Sequence, residues 1–168
     1  NLRDPGRTSR VIKDLDPDII YHTAAHKHVH YMEKDPEEAV LNNIGGTLNL
    51  VKASQAAGVE RFVFISTDKA ANPRGEMIAT KRMMELYLSW RGSADSCRFI
   101  SVRFGNVIGS KGSVVPLFIK QIGRGGPVTV SDSEATRYFM TVKEAVLLVL
   151  KASIIGKGGE IFILDMGE

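Results

Sequence analysis

Strands alternating with helices predict an α/β chain, with one parallel sheet covered by helices on both faces. Three observations carry that reading. Residues 18–25, 61–66, 98–104 and 161–164 are short, largely apolar or β-branched runs, the pattern of strands buried on both sides. The stretches between them are long enough for crossover helices and carry helix start and stop residues. Neither an internal repeat nor a linker-like segment breaks the alternation.

Taken in order, a first helix is predicted over residues 7–15, followed by the 18–25 strand. Asp35, Pro36 and Glu38 then read as an N-cap, a first-turn proline and a capping-box carboxylate, and Gly58 stops that helix. The 61–66 strand leads to a long helix over 76–90, and the 98–104 strand to shorter helices over 115–122 and 142–154. Residues 161–164 close the sheet. Val146, Leu147, Val149 and Leu150 are read as the core face of the last helix, and Tyr138, Phe139 and Met140 as packing residues.

Composition narrows the function classes. The chain has 168 residues, 43% of them hydrophobic and 24% charged, enough for one unassisted core and against disorder. With 22 basic and 19 acidic residues and no block of like charges, nucleic acid is not expected as a partner. Cys97 is alone, which excludes a disulfide framework and a metal–thiolate site. The longest apolar stretch, residues 145–150, ends at Lys151, far short of the ~20 residues of a membrane span. The opening Asn1-Leu2-Arg3-Asp4 has no initiator Met and no signal-peptide pattern, so a longer parent protein is expected.

In a parallel sheet the ligand sits at the carboxyl ends of the strands, which directs attention to loops 23–30, 66–75 and 105–113. No G-x-G-x-x-G occurs, so either this is not a dinucleotide fold or its first unit lies outside these residues. The densest constellation is Ser66-Thr67-Asp68-Lys69, followed by Met77 and Lys81 at i and i+4 on one helix face. By spacing alone this reads equally as a solvated Asp–Lys pair at a strand end with a core Met beside it. His26, His28 and His30 alternate, and on an extended segment they would point the same way. A metal there lacks a carboxylate or Cys to complete it. Asn43 and Thr47 are inner-face polar residues, placed either for an internal hydrogen bond or for a ligand.

The strand-end hydroxyl followed by the helical Lys resembles the active site of the extended short-chain dehydrogenase/reductases, with Met77 at the usual Tyr position. Four further segments extend the likeness along the whole chain: His22 to Val29, Asn42 to Thr47, Arg103 to Ser110 and Thr136 to Met140. Together they resemble the capsular polysaccharide biosynthesis (CapD-like) branch of nucleotide-sugar 4,6-dehydratases.

The resemblance implies a Rossmann-like parallel sheet, truncated, with part of a small substrate-binding lobe. Residues 1–110 would be the later part of the NAD(P)-binding domain, and 111–168 a partial nucleotide-sugar lobe interleaved with the last strands. It implies conversion of UDP-N-acetylglucosamine to a UDP-4-keto-6-deoxy sugar through transient hydride transfer to NAD or NADP, in bacterial glycan synthesis. Thr67 would hydrogen-bond the C4 oxygen, Asp68 protonate the leaving C6 hydroxyl, Lys69 handle the C5 proton and Lys81 bind the nicotinamide ribose. Met77, without a titratable proton, cannot be the base that Tyr is in most relatives. Leu2, Thr23, Ala24, Ala25, Lys27, Asn43 and Ser66 would contact or support the cofactor. Asn1 stands where the family usually has Asp.

His28, Asn106, Ser113, Thr129 and Arg137 would hold the substrate, with Ser110, Lys111 and Gly112 beside them. Arg137 has a structural ion pair as its alternative. A cytoplasmic homo-oligomer is expected, although many longer relatives carry an N-terminal membrane region. These residues alone are expected to be inactive and to expose a sheet edge. Two other readings are a UDP-hexose 4-epimerase, which needs no Asp–Lys pair, and a nucleotide-binding module without turnover.

Overall fold

The computed structural model describes residues 1–92, 96–110, 113–130 and 132–165, with the backbone alone at 29 and 30. The first half contains α1 (Pro5–Leu15), β1 (Ile19–His22), α2 (Val29–Lys34) and α3 (Pro36–Ala39), then a π-helical stretch (Val40–Gly45) that runs into α4 (Gly46–Ala56). Next come β2 (Arg61–Ile65), a 3₁₀ turn (Asp68–Ala71), α5 (Glu76–Arg91) and β3 (Arg98–Arg103). The chain continues through β4 (Asn106–Val107), α6 (Val114–Ile122), β5 (Phe139–Met140), α7 (Val142–Ile155) and β6 (Ile161–Ile163).

The main sheet has the order β1-β2-β3-β6 and every pairing in it is parallel. Its two central strands divide their side chains between two cores, as the strand period of two requires. Phe62, Phe64 and Phe99 point to one face, packing with Ile12 of α1, Leu50 and Val51 of α4, and Met84 and Leu88 of α5. Val63, Ile100 and Val102 point to the other, against Ala145, Val149 and Ala152 of α7. Both faces of the central strands β2 and β3 are covered, as their apolar runs predicted, whereas the edge strands depart from that reading: Ile19 and Tyr21 of β1 and Ile163 of β6 are exposed, because an edge strand has less of the helical layers over it.

The helix signals act as read, with shifts at the ends. Asp4 accepts a hydrogen bond from the Arg7 amide at 2.9 Å and Pro5 takes the first helical position, so α1 begins two residues before the predicted start. Asp35 accepts from the Glu38 amide at 3.1 Å, but the Glu38 carboxylate pairs with Arg3 and His26 rather than completing a capping box. Gly58, with φ +73°, follows the end of α4. At the end of α7, Arg61 donates to the Ser153 and Ile154 carbonyls at 2.6 and 3.2 Å, supplying partners the helix itself cannot. Gly156 lets this end press on the sheet, since a Cβ there would lie 2.6 Å from Ile100 Cδ1 and 3.0 Å from the Ala152 carbonyl oxygen.

Four expectations are corrected. The 23–30 segment is not extended throughout: α2 starts at Val29, with the Tyr31 and Met32 amides donating to the His28 carbonyl and Met32 buried. Residues 106–107, expected in a loop, pair in parallel with Phe139 and Met140 as a second, two-stranded sheet. Of the last helix's assigned core face only Val149 is buried, because Ala145, Val149 and Ala152 occupy the side toward the sheet and Val146, Leu147 and Leu150 turn away. Met140 packs, whereas Tyr138 and Phe139 are exposed. Among the described residues no helix is long and apolar enough to cross a membrane.

Candidate active site

The carboxyl end of β2 carries the candidate residues directly off the sheet. Beyond the last paired strand residue, the Ser66 amide donates to the Val102 carbonyl at 2.8 Å and the Asp68 amide to Phe104 at 3.1 Å. These bonds prolong the ladder past β2, so Thr67 lies between two backbone ties, at Ser66 and Asp68, to β3 and its continuation. Thr67 caps the 3₁₀ turn, and three donors then converge on Oδ1 of Asp68: Thr67 Oγ1 at 2.9 Å, the Lys69 amide at 2.8 Å and Lys69 Nζ at 2.9 Å. Partial burial pushes the Asp68 carboxyl up, but hydrogen bonds from Lys69 and Thr67 outweigh it and hold the group below the ordinary carboxylate range. Asp68 is therefore a carboxylate at neutral pH, paired with the Lys69 ammonium.

Helix α5 lies against this turn and brings Lys81 under it. Lys81 is 8% exposed, donates from Nζ to the Ile65 carbonyl at 2.8 Å and stands 4.6 Å from the centre of the Phe64 ring. Burial lowers its pKa to about 8, with Glu85 opposing the shift. An ammonium has three donors; two on Nζ have no protein acceptor among the described residues. Four residues before Lys81, Met77 has its carbonyl bonded by Thr80 Oγ1 at 2.6 Å.

A polar chain beneath the site ties three elements together. Asn43 sits in the π-helical stretch, a wider turn that recurs at functional positions. Its side chain accepts from the His26 amide at 2.8 Å and donates to the His26 carbonyl at 3.1 Å and Thr80 Oγ1 at 3.2 Å. Asn43 thus acts on the backbone of the loop after β1. Thr47 donates to the Asn43 carbonyl at 2.6 Å, so its oxygen accepts from His22 Nε2 at 2.8 Å and the His22 proton is on Nε2.

His22 is 2% exposed, and burial, helped by the Lys81 charge, lowers its pKa from 6.5 to about 4. Unfolding frees it to protonate at its ordinary value. Folding stability is therefore expected to fall by about 3 kcal/mol as the pH drops from 6.5 towards 4, and to be independent of this group above 6.5. Urea unfolding at pH 7 and pH 4.5, with His22→Asn as the flatter reference, checks it.

The other candidates spread along the same edge. On the loop after β1, Thr23, Ala24, Lys27 and His28 are exposed and Ala25 half-buried. His26 and His28 line an open cleft of about 270 Å³ with Tyr31, Met32 and Glu38, and His26 Nε2 lies 3.1 Å from the Glu38 carboxylate. Among the described residues no three His, Cys, Asp or Glu side chains are placed to share a metal. Leu2 rests on α4, where its Cβ would be 3.1 Å from a Cβ at Gly46, and Asn49 donates to its carbonyl at 3.0 Å. Asn106 is half-buried in β4, and Ser113 stands at the N-cap of α6 with its Oγ shielded and unpartnered among the described residues. Thr129 is exposed and bonded twice to Gln121, while Arg137 is exposed and donates to the neighbouring Thr136 carbonyl. Lys111 and Gly112 lie outside the described residues.

Sequence reasoning missed His22, Glu85 and Arg103. Glu85 carried a signal, since it stands four residues from Lys81 on the same helix face. Arg103 carried a fainter one, a charge at an inward strand position in register with Phe99 and Ser101.

Residues 1–168 match the family described as "Polysaccharide biosynthesis protein". The chain is 51% identical over its whole length to the probable polysaccharide biosynthesis protein EpsC of Bacillus subtilis, covering 28% of that protein. It is 38% identical, over 97% of its length, to a UDP-N-acetylglucosamine 4,6-dehydratase (inverting) of Campylobacter jejuni, covering 49% of it. Among solved structures, Pen from Bacillus thuringiensis superposes with a TM-score of 0.93 at 41% identity, over 99% of this chain and 52% of Pen. The UDP-glucose 4-epimerase of Thermus thermophilus, in complex with NAD, gives 0.86 at 28% identity, over 100% of this chain and 62% of the epimerase. The parallel sheet described above is thus the Rossmann-like fold of these enzymes, and the chain spans only part of each relative.

Proposed function

The chain belongs to the polysaccharide biosynthesis protein family, and on that premise we propose that the protein is a nucleotide-sugar 4,6-dehydratase. Its substrate in this reading is UDP-N-acetylglucosamine, its product a UDP-4-keto-6-deoxy sugar for a bacterial surface glycan, and its working form a cytoplasmic homo-oligomer. The observation that carries the reading is the Asp68–Lys69 pair, joined at 2.9 Å beside a strand-end hydroxyl. Epimerisation at C4 needs only reversible oxidation; loss of water across C5 and C6 also needs a base and an acid.

The residues present suit a dinucleotide at its nicotinamide end. Lys81 offers two unused N–H donors in a place almost closed to water, a donor set for a pair of ribose hydroxyls. Lys81, Ser66 and the loop residues Thr23, Ala24, Ala25 and Lys27 would hold the group, with Leu2 towards its adenine and Asn43 bracing the loop. NAD or NADP, when bound, supplies the acceptor and later donor of the sugar's hydride. His28, Asn106, Ser113, Thr129 and Arg137 would hold the nucleotide sugar, Arg137 through its fork of donors to phosphate.

The proton traffic follows from the hydrogen bonds. Thr67 Oγ1 takes the C4 hydroxyl proton as it gives its own to Asp68 Oδ1, 2.9 Å away, a route Met77 cannot provide. Asp68, now protonated, gives that proton to the departing C6 hydroxyl. Lys69, joined to Asp68 at 2.9 Å, acts on C5 through its free amine, taking the C5 proton as the C6 oxygen leaves and returning one to C5 afterwards. The C4 hydroxyl proton thus leaves in the product water.

The test is incubation of the complete gene product with UDP-N-acetylglucosamine in deuterated water, followed by NMR. A 4-keto-6-deoxy sugar carrying deuterium at C5 supports the proposal; unchanged sugar or its C4 epimer overturns it. The pH profile gives a second check. Lys81 loses its charge above about pH 8, so kcat/KM is expected to fall on the alkaline side with an apparent pKa near 8. In Lys81→Arg that limb should disappear.

A further inference from the structure

Behind the site, a buried ion pair joins three elements that carry it. Glu85 of α5 is fully buried, and its carboxylate accepts from Arg103 Nε at 2.8 Å and Arg103 Nη2 at 2.6 Å, with half-exposed Arg82 adding a bond at 3.1 Å. Arg103 is the last residue of β3 and is 7% exposed. Its Nη2 also reaches the Ala70 carbonyl at 3.3 Å, in the turn formed by residues 68–71. Its own carbonyl accepts from the Leu164 amide at 2.9 Å, beyond β6.

We propose that Arg103 and Glu85 are positioning residues for the reaction: their ion pair fixes the Asp68–Ala71 turn relative to α5, and so Thr67, Asp68 and Lys69 relative to Lys81. This rests on the reading of those four residues as the reacting site. The geometry gives the reason. The Ser66 amide bonds Val102 of β3 and the turn's Asp68 amide bonds Phe104 just beyond it, whereas Lys81 belongs to α5 and reaches the sheet at Ile65. The planar guanidinium between Val102 and Phe104 spans the two, with one edge on the helix carboxylate and Nη2 on the turn. A lysine has the charge but cannot make the fork, and neither Glu85 nor Arg103 need touch a ligand to act. A displacement of about 1 Å in such a site costs on the order of 100-fold in rate.

The experiment uses the complete gene product, with Arg103→Lys and with the apolar pair Glu85→Leu/Arg103→Met. The second variant removes both charges together, a change that buried pairs commonly tolerate without loss of folding. Both are expected to lower kcat by about 10- to 100-fold with KM for the nucleotide sugar within about twofold. The Asp68 and Ala70 amides should exchange faster, while those in the middle of α5 keep their protection. A double variant that melts like the parent and keeps its kcat and its turn protection would overturn the proposal. So would a kcat loss matched by uniform loss of protection across α5. If the parent forms no product from the sugar, the dehydratase reading falls, and the exchange pattern at Asp68 and Ala70 still decides whether the pair holds the turn.

Discussion

Asp68→Asn is expected to lower 4-keto-6-deoxy sugar formation by about 10³-fold or more, with little change in melting temperature. The amide keeps an oxygen where Oδ1 accepts from Thr67 and Lys69, so the turn retains its shape. What it loses is the ability to take a proton from Thr67 and to deliver one at C6. General acid–base groups contribute about 10² to 10⁴ each, and this residue is assigned two transfers in succession. The check is steady-state turnover of the purified variant beside its thermal melt. Turnover within tenfold of the parent would remove Asp68 from the reaction. A Thr67→Val variant is the companion measurement, since it cuts the route to Oδ1 and leaves the carboxylate in place.

Arg103→Met alone is expected to destabilise the fold by about 3–5 kcal/mol, because it leaves the Glu85 charge buried without its bidentate partner, half-exposed Arg82 being the remaining ion pair among the described residues. In the parent, burial pushes the Glu85 carboxyl up, and hydrogen bonds from Arg103 first, then from Ser66 and Arg82, together with the Arg103 charge, outweigh it, so the group stays low. Its contribution is present above the ordinary carboxylate range and is lost as the pH falls through the lowered folded value. In the variant burial is unopposed by Arg103 and the folded carboxyl rises. The penalty then appears as the pH climbs through the ordinary carboxylate range, and the two proteins draw together in acid. Urea unfolding of both at pH 7.5 and pH 4.5 measures this, and the His22 contribution cancels in the difference. Replacing Glu85 by Leu in the same chain should restore most of the loss.

The four main strands were legible because each is a short apolar or β-branched run bounded by polar or glycine residues, too short for a helix, and β2 and β3 are buried on both faces as such runs require. Thr67, Asp68, Lys69 and Lys81 were legible because a strand end and one helical turn fix their relation within 15 residues of sequence. The Asn106–Phe139 pairing was not, since it joins two-residue strands far apart in the chain and has no period to read. Helix α2 was hidden for a similar reason: six residues held by burial of Met32 leave no repeating pattern. Arg103 escaped because an inward charge in a strand shows its purpose only when its partner, 18 positions away, is seen.

The π-helical stretch between α3 and α4 has a consequence for how this chain is compared with others. Each residue of an α-helix advances by about 100°, so a wider turn advances the phase of everything after it by roughly one residue. Pro36 to Ala56 therefore cannot be drawn on a single helical wheel: Asn43 and the Leu50–Val51 core positions belong to two wheels out of step. A relative lacking one residue between Val40 and Gly45 would align with a lone gap in the middle of an unbroken helix, and that gap would mark where its site asparagine turns off axis.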